Sequence, residues 1–155
     1  MSTEKTWQTE STSSDATEKL AGQLGHNLRG GEVIELVSDL GGGKTTFVRG
    51  LARGMNSPDN VSSPSYTISQ VYQAGNLELH HYDFYRLEQA GLMTHELGDD
   101  LDNPRAVVVI EWADVVQHVL PASRIRIHIK STGDETRQLD FRYPASLGYA
   151  MDGIC

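Results

Sequence analysis

The residues Ser38-Asp39-Leu40-Gly41-Gly42-Gly43-Lys44-Thr45-Thr46 concentrate the chemistry that this chain can do. Successive glycines let backbone N–H groups approach an anion that a Cβ would keep at a distance. The lysine adds a positive charge, and the threonine after it adds a hydroxyl of the kind that ligates Mg²⁺. An apolar run, Val33-Ile34-Glu35-Leu36-Val37, comes before, and Phe47, Val48, Leu51 and Ala52 follow at helical spacing. Strand, glycine-rich turn and helix in that order aim a helix N-terminus at the same anion. The pattern predicts a phosphate-binding loop for a nucleoside triphosphate, with Lys44 on the β- and γ-phosphates and Thr45 on Mg²⁺. Ser38 stands where such loops usually begin with glycine, and it serves there if its φ stays negative.

A triphosphate site also needs a second metal partner and a group to orient the attacking atom. Glu111 ends the β-branched run 106–110, which reads as a strand covered on both faces. Glutamate is the variation here, since aspartate is commoner at that point. Asp83 ends another strand pattern, in His81-Tyr82-Asp83-Phe84-Tyr85-Arg86. The residues alone leave open which carboxylate holds the metal and which the water. His81 also reads as a hydrogen-bonded strand residue, Tyr85 as packing, and Arg86 as helix-start surface. Trp112 either covers a nucleotide base or fills core. Ser63-Pro64-Ser65-Tyr66-Thr67 places hydroxyls in a proline turn, as loops that sense a γ-phosphate do.

The elements that must position these groups read as one domain of 155 residues. Residues 1–12 are expected to be a flexible lead, with at most an edge strand at 5–8. The nucleotide-binding domain spans 13–143, and 144–155 form a tail with no assigned structure. A helix capped by Ser13 or Ser14 carries Leu20, Leu24 and Leu28 and stops at Gly30-Gly31. Strands are expected at 32–37, 66–72, 77–82 and 106–111, and a terminal hairpin at 124–130 and 138–143. Helices are expected after the loop to Gly54, at 86–97 and at 113–120. The predicted class is α/β: a central mixed, partly parallel sheet flanked by helices, with antiparallel hairpins.

Composition narrows the partners. With 21 acidic against 13 basic residues and a net charge of −8, autonomous binding to tRNA or DNA is not expected. Arg49 with Arg53 is a local basic patch that could meet RNA inside a complex. No run approaches the ~20 apolar residues of a membrane span, and Met1 to Ser14 lack the apolar stretch of a secretory signal. The single Cys155 has no internal disulfide partner, so a reducing, cytoplasmic location is expected. Two other classes stay open from the residues alone. One is a small-molecule kinase, although no lid with clustered arginines is visible. The other is a non-enzymatic nucleotide switch, although no Asn-Lys-x-Asp segment for guanine is present.

The ordered series Thr17, Asp39-Leu40-Gly41-Gly42-Gly43-Lys44-Thr45-Thr46, Ser63-Pro64-Ser65-Tyr66-Thr67, His81-Tyr82-Asp83-Phe84-Tyr85-Arg86 and Val109-Ile110-Glu111-Trp112 resembles the bacterial TsaE (YjeE-like) P-loop family of tRNA threonylcarbamoyladenosine biosynthesis ATPases. The resemblance runs over 13–143. It implies an ATP/ADP- and Mg²⁺-dependent subunit that acts with TsaB-like and TsaD-like partners. Those partners carry out threonylcarbamoyl transfer to adenosine 37 of tRNAs reading codons that begin with A, so tRNA is met only through the complex. It places the loop and Lys44 on phosphates, Thr45 and Glu111 on Mg²⁺, and Thr17, Trp112 and Arg137 near the nucleotide. Lys44, Asp83 and Glu111 would carry hydrolysis. Ser63, Ser65, Thr67, His81, Tyr85 and Arg86 would serve switching and partner engagement. Ser38, Gly42 and Ser65 depart modestly from the family pattern.

Overall fold

The computed structural model describes residues 3–38, 43–61, 69–85 and 93–155. Its strands are Glu4–Ser11 (β1), Val33–Val37 (β2), Ser69–Ala74 (β3), Leu77–Asp83 (β4), Ala106–Glu111 (β5), Ile125–Ser131 (β6) and Arg137–Pro144 (β7). They form one seven-stranded sheet in the order β1-β7-β6-β2-β5-β4-β3. The β4–β5, β5–β2 and β2–β6 pairs are parallel, and the β3–β4, β6–β7 and β7–β1 pairs are antiparallel. The expected mixed sheet with antiparallel hairpins is therefore the observed one. Every residue of β5 is buried. Val107 and Val109 enter one core, while Ala106, Val108 and Ile110 enter the other, which is why the strand needs an unbroken apolar run.

The larger core lies under two helices, Ser14–Asn27 (α1) and Lys44–Gly54 (α2). Ser13 caps α1, its side chain accepting from the Ala16 N–H at 3.0 Å. Glycines on both helices let their backbones nearly touch. A Cβ on Gly50 would sit 2.3 Å from the Glu18 carbonyl oxygen, and one on Gly54 would sit 1.9 Å from that of Gly22. Gly50→Ala should therefore lower stability by about 1–3 kcal/mol despite alanine's better helix propensity. Gly98 has open space around its Cβ position and makes the control. Thermal melts should show Gly50→Ala several degrees below the parent and Gly98→Ala level with it or above. A Gly50→Ala melt at or above the parent would refute the close helix contact.

The other side of β4 and β5 is covered by the helix Met93–Leu101 (α3) and a 3₁₀ segment at Ala113–Val119. Residues 62–68, before β3, lie outside the described set, as do 86–92 before α3. The short helix expected at 113–120 is present as a 3₁₀ helix, Ala113–Val119.

Both chain ends differ from the expectation of loose segments. Residues 4–11 pair along their whole length with β7, and Trp7 packs on Phe141 with ring centroids 5.4 Å apart. Ala145–Met151 forms a 3₁₀ helix with Ala150 and Met151 buried. The Asn27 amide of α1 ties it down by donating to the Ala150 and Asp152 carbonyls, each at 2.8 Å. Arg53, expected in a basic patch, is paired with Glu18 of α1 at 2.6 Å. Among the described residues, no helix is long and apolar enough to cross a membrane.

Candidate functional site

Parallel register builds the site. Asp83 on β4 and Leu36 on β2 both lie across from Glu111 on β5, so three strands end together at one edge of the sheet. Open α/β sheets bind their ligands beyond this edge, outside the carboxyl ends of the strands. Alternation turns Glu111 and Asp83 to the α1–α2 side, the side that Val109 occupies one pleat earlier on β5 and Leu79 two pleats earlier on β4.

Helix α2 starts at the same edge. Its N-cap, Gly43, has φ 98°, a left-handed conformation that costs glycine little. The first turn carries no acid, so no side chain there neutralises the positive end of the helix. Lys44 opens the helix and is only 7% exposed, unusual for a lysine. Its Nζ donates to the Ser38 carbonyl at 3.2 Å and lies 5.0 Å from the centre of the Trp112 ring. That contact uses the backbone of Ser38 and asks nothing of its side chain. Thr45 and Thr46 follow in the first turn, each half-buried.

Trp112 adopts φ 57°, a left-handed conformation that costs a residue with a Cβ about 1–2 kcal/mol. Its surroundings hold it there. The Glu111 carbonyl accepts from the Phe84 N–H at 3.1 Å, and the Tyr85 ring tilts onto the indole with centroids 5.0 Å apart. The indole also packs, partly buried, against the second core, so it both fills space and faces Lys44.

Glu111 is 2% exposed, and its Oε2 is hydrogen-bonded to Nε2 of His81, which is fully buried. His81, placed with the switch and partner residues by the sequence, thus faces the inside of the site. Asp83 is half-buried, and its Oδ1 accepts from the Tyr85 N–H at 3.0 Å. Burial raises the Asp83 carboxyl above its ordinary range, and the charge of Glu111 adds to the rise. The Tyr85 N–H, His81 and Lys44 offset part of it. A carboxylate with a raised pKa is a better proton acceptor near neutrality.

A second cluster closes the opposite flank. The Thr17 hydroxyl is buried, donates to the Ser13 carbonyl at 3.2 Å and meets the Ser11 hydroxyl at 2.6 Å. Ser11 is the register partner of Arg137 on β7. The Arg137 side chain reaches the N-cap of α2, its Nε 3.4 Å from where a Cβ on Gly43 would lie. Arg137 is therefore brought to the start of α2, and Ser11 links its strand to Thr17. Sequence reasoning missed Ser11, because its role exists only once β1 is known to pair with β7. Asp39, Leu40, Gly41, Gly42, Ser63, Ser65, Thr67 and Arg86 lie outside the described residues.

Among the described residues no three His, Cys, Asp or Glu side chains converge as a metal cage. Mg²⁺ does not require one, since it is usually held by one or two carboxylates with phosphate oxygens and water. Thr45 and Glu111 are donors of that kind. A separate open groove crosses β1, β7, β6 and β2, where Gln8, Arg126, His128, Asp140 and Arg142 mix both charges. It shares no residue with the cluster around Lys44.

The family model described as "Threonylcarbamoyl adenosine biosynthesis protein TsaE" matches residues 11–139. The tRNA threonylcarbamoyladenosine biosynthesis protein TsaE of Bacillus subtilis is 37% identical over 126 residues, covering 81% of this chain and 76% of that protein. The protein of the same name from Rickettsia conorii is 31% identical over 128 residues, covering 81% and 71%. Among solved structures, the crystal structure of Bacillus subtilis YdiB superposes with a TM-score of 0.70 at 31% identity, covering 97% of this chain and 92% of that one.

Proposed function

Since this chain belongs to the TsaE family of tRNA threonylcarbamoyladenosine biosynthesis proteins, we propose that it is the Mg²⁺-dependent subunit that binds and hydrolyses ATP in that pathway. It acts with TsaB-like and TsaD-like partner proteins on adenosine 37 of tRNAs reading codons that begin with A, and does not itself perform the transfer. The observation that carries this reading is the convergence of buried Lys44, buried Glu111 and half-buried Asp83 at the start of α2.

Each residue has a task in this reading. Lys44 holds the β- and γ-phosphates, helped by the N-terminal N–H groups of α2. Thr45 and Glu111 ligate Mg²⁺, which, when bound, neutralises the charge that develops on the phosphate oxygens. Asp83 orients the attacking water and accepts its proton. Thr17 and Arg137 flank the nucleoside side, and Trp112 with Tyr85 walls off solvent beside Lys44. Tyr85 is 47% exposed, which leaves it able to meet a partner as well.

The test is ATP hydrolysis by the purified chain, alone and with the two partner proteins and tRNA. Turnover should be feeble alone and rise at least about tenfold in the complex, as expected when a partner completes a catalytic site. Vigorous turnover without partners, or none in either condition, would overturn the proposal.

A further inference from the structure

The His81–Glu111 contact has a chemical direction. A carboxylate only accepts, so the hydrogen bond at Oε2 takes its proton from His81 Nε2. The other ring nitrogen, Nδ1, is buried with no hydrogen-bond partner among the described residues. A ring with a single proton, on Nε2, leaves only a lone pair idle there. A buried N–H without a partner would cost about 1–3 kcal/mol. The ring is thus a one-sided donor committed to Glu111, with no hydrogen bond at its back among the described residues. Among the described residues, His81 is also the only hydrogen-bonding partner of the Glu111 side chain, and it leaves Oε1 without a protein donor.

Register explains how the pair forms. His81 lies across from Val109, one pleat before the Asp83–Glu111 pair, and an imidazole is long enough to reach diagonally to the next carboxylate on the same face. The ring is fully buried on the face that Leu79 and Val109 contribute to the larger core, which restricts it. A carboxylate on a glutamate stem has free rotations about three bonds unless something fixes it. Here the imidazole does.

We propose that His81 is a positioning residue for Glu111: its Nε2–H fixes the carboxylate in one rotation and reserves the other oxygen for Mg²⁺. This rests on the reading of Glu111 as the metal carboxylate. Outer-shell partners of metal ligands set ligand orientation, and losing one typically costs about 10–100-fold in metal affinity.

The experiment measures ADP binding by calorimetry across a MgCl₂ titration, with EDTA as the metal-free reference, and needs no turnover. The variants are His81→Leu, which removes the donor, and His81→Gln, whose amide N–H can replace Nε2–H. His81→Leu should raise the Mg²⁺ concentration needed for half-maximal tightening by about 10–100-fold, leaving ADP affinity in EDTA within about threefold. His81→Gln should recover most of the loss. His81→Asn, whose shorter amide falls short of Oε2, carries the same test if the leucine variant does not fold. A Mg²⁺ titration of His81→Leu or His81→Asn that overlays the parent would overturn the proposal, as would a glutamine variant no better than leucine. If parental ADP binding itself ignores Mg²⁺, the metal reading of Glu111 falls and this inference falls with it. A Mg²⁺-dependent parent with insensitive variants overturns only the role of His81.

Discussion

Replacing Lys44 with methionine should weaken ATP binding by at least about 10²-fold, as expected when one partner of a desolvated charge pair is truncated. The argument begins from burial. A lysine that is 7% exposed has already given up most of its water, and its described contacts include a carbonyl at 3.2 Å and an aromatic face at 5.0 Å, with the Asp83 carboxyl in electrostatic reach. A triphosphate entering over α2 would therefore meet a cation that the fold has already stripped of most of its water. Methionine keeps the apolar stem and removes only the charge, so the packing against Trp112 survives. Calorimetry with ATP, in parallel with a thermal melt of the variant, separates lost binding from lost folding. Unchanged affinity in a folded Lys44→Met protein would exclude this loop as the nucleotide site.

Glu111→Gln should lower Mg²⁺-dependent turnover by roughly 10²-fold or more, the scale expected for a group that stabilises charge in the transition state. Glutamine is close in shape, and its carbonyl oxygen can still accept from His81, so the fold loses little. What disappears is the negative charge at the joint end of β2, β4 and β5. Asp83→Asn supplies the comparison, because Asp83 sits directly across the register but is only half-buried and bonded to the Tyr85 N–H. Steady-state assays of both variants at saturating Mg²⁺ decide the assignment. A larger loss for Asp83→Asn, with Glu111→Gln near the parent, would mean that the two carboxylates have the opposite roles.

Much of this site could be read from the chain because its signals are local. The apolar run 33–37, the glycines and the helix-spaced Phe47, Val48 and Leu51 lie within a short stretch, and β2 and α2 form where they predict. β5 was equally legible, since only a strand covered on both faces tolerates Val107-Val108-Val109-Ile110. What was hidden depended on partners far away in the chain. Residues 4–11 contain one large apolar side chain, Trp7, and look like a frayed lead until Phe141 is known to lie beneath it. The 3₁₀ helix at Ala145–Met151 has no periodic signal and is held by carbonyls bonded to Asn27. The His81–Glu111 bond likewise needs β4 and β5 to be parallel neighbours, a fact that no spacing along the sequence encodes.

The pairing of β1 with β7 carries a consequence for the order of assembly. Gln8 and Asp140, hydrogen-bonded at 2.6 Å across these strands, are 132 residues apart. A growing chain leaving the ribosome thus makes β1 before the other six strands and cannot seat it until the β6–β7 hairpin has emerged. The parallel β2, β4 and β5 can find one another before that, as can the α1–α2 pair, but Trp7 waits in water for Phe141. Ser11, which touches Thr17 and lies across from Arg137 on that last-formed seam, therefore brings the two together at the end. The flank they make of the proposed nucleotide site is completed after the flank built on Lys44 and Glu111, and a chain stopped short of β7 would carry half of it.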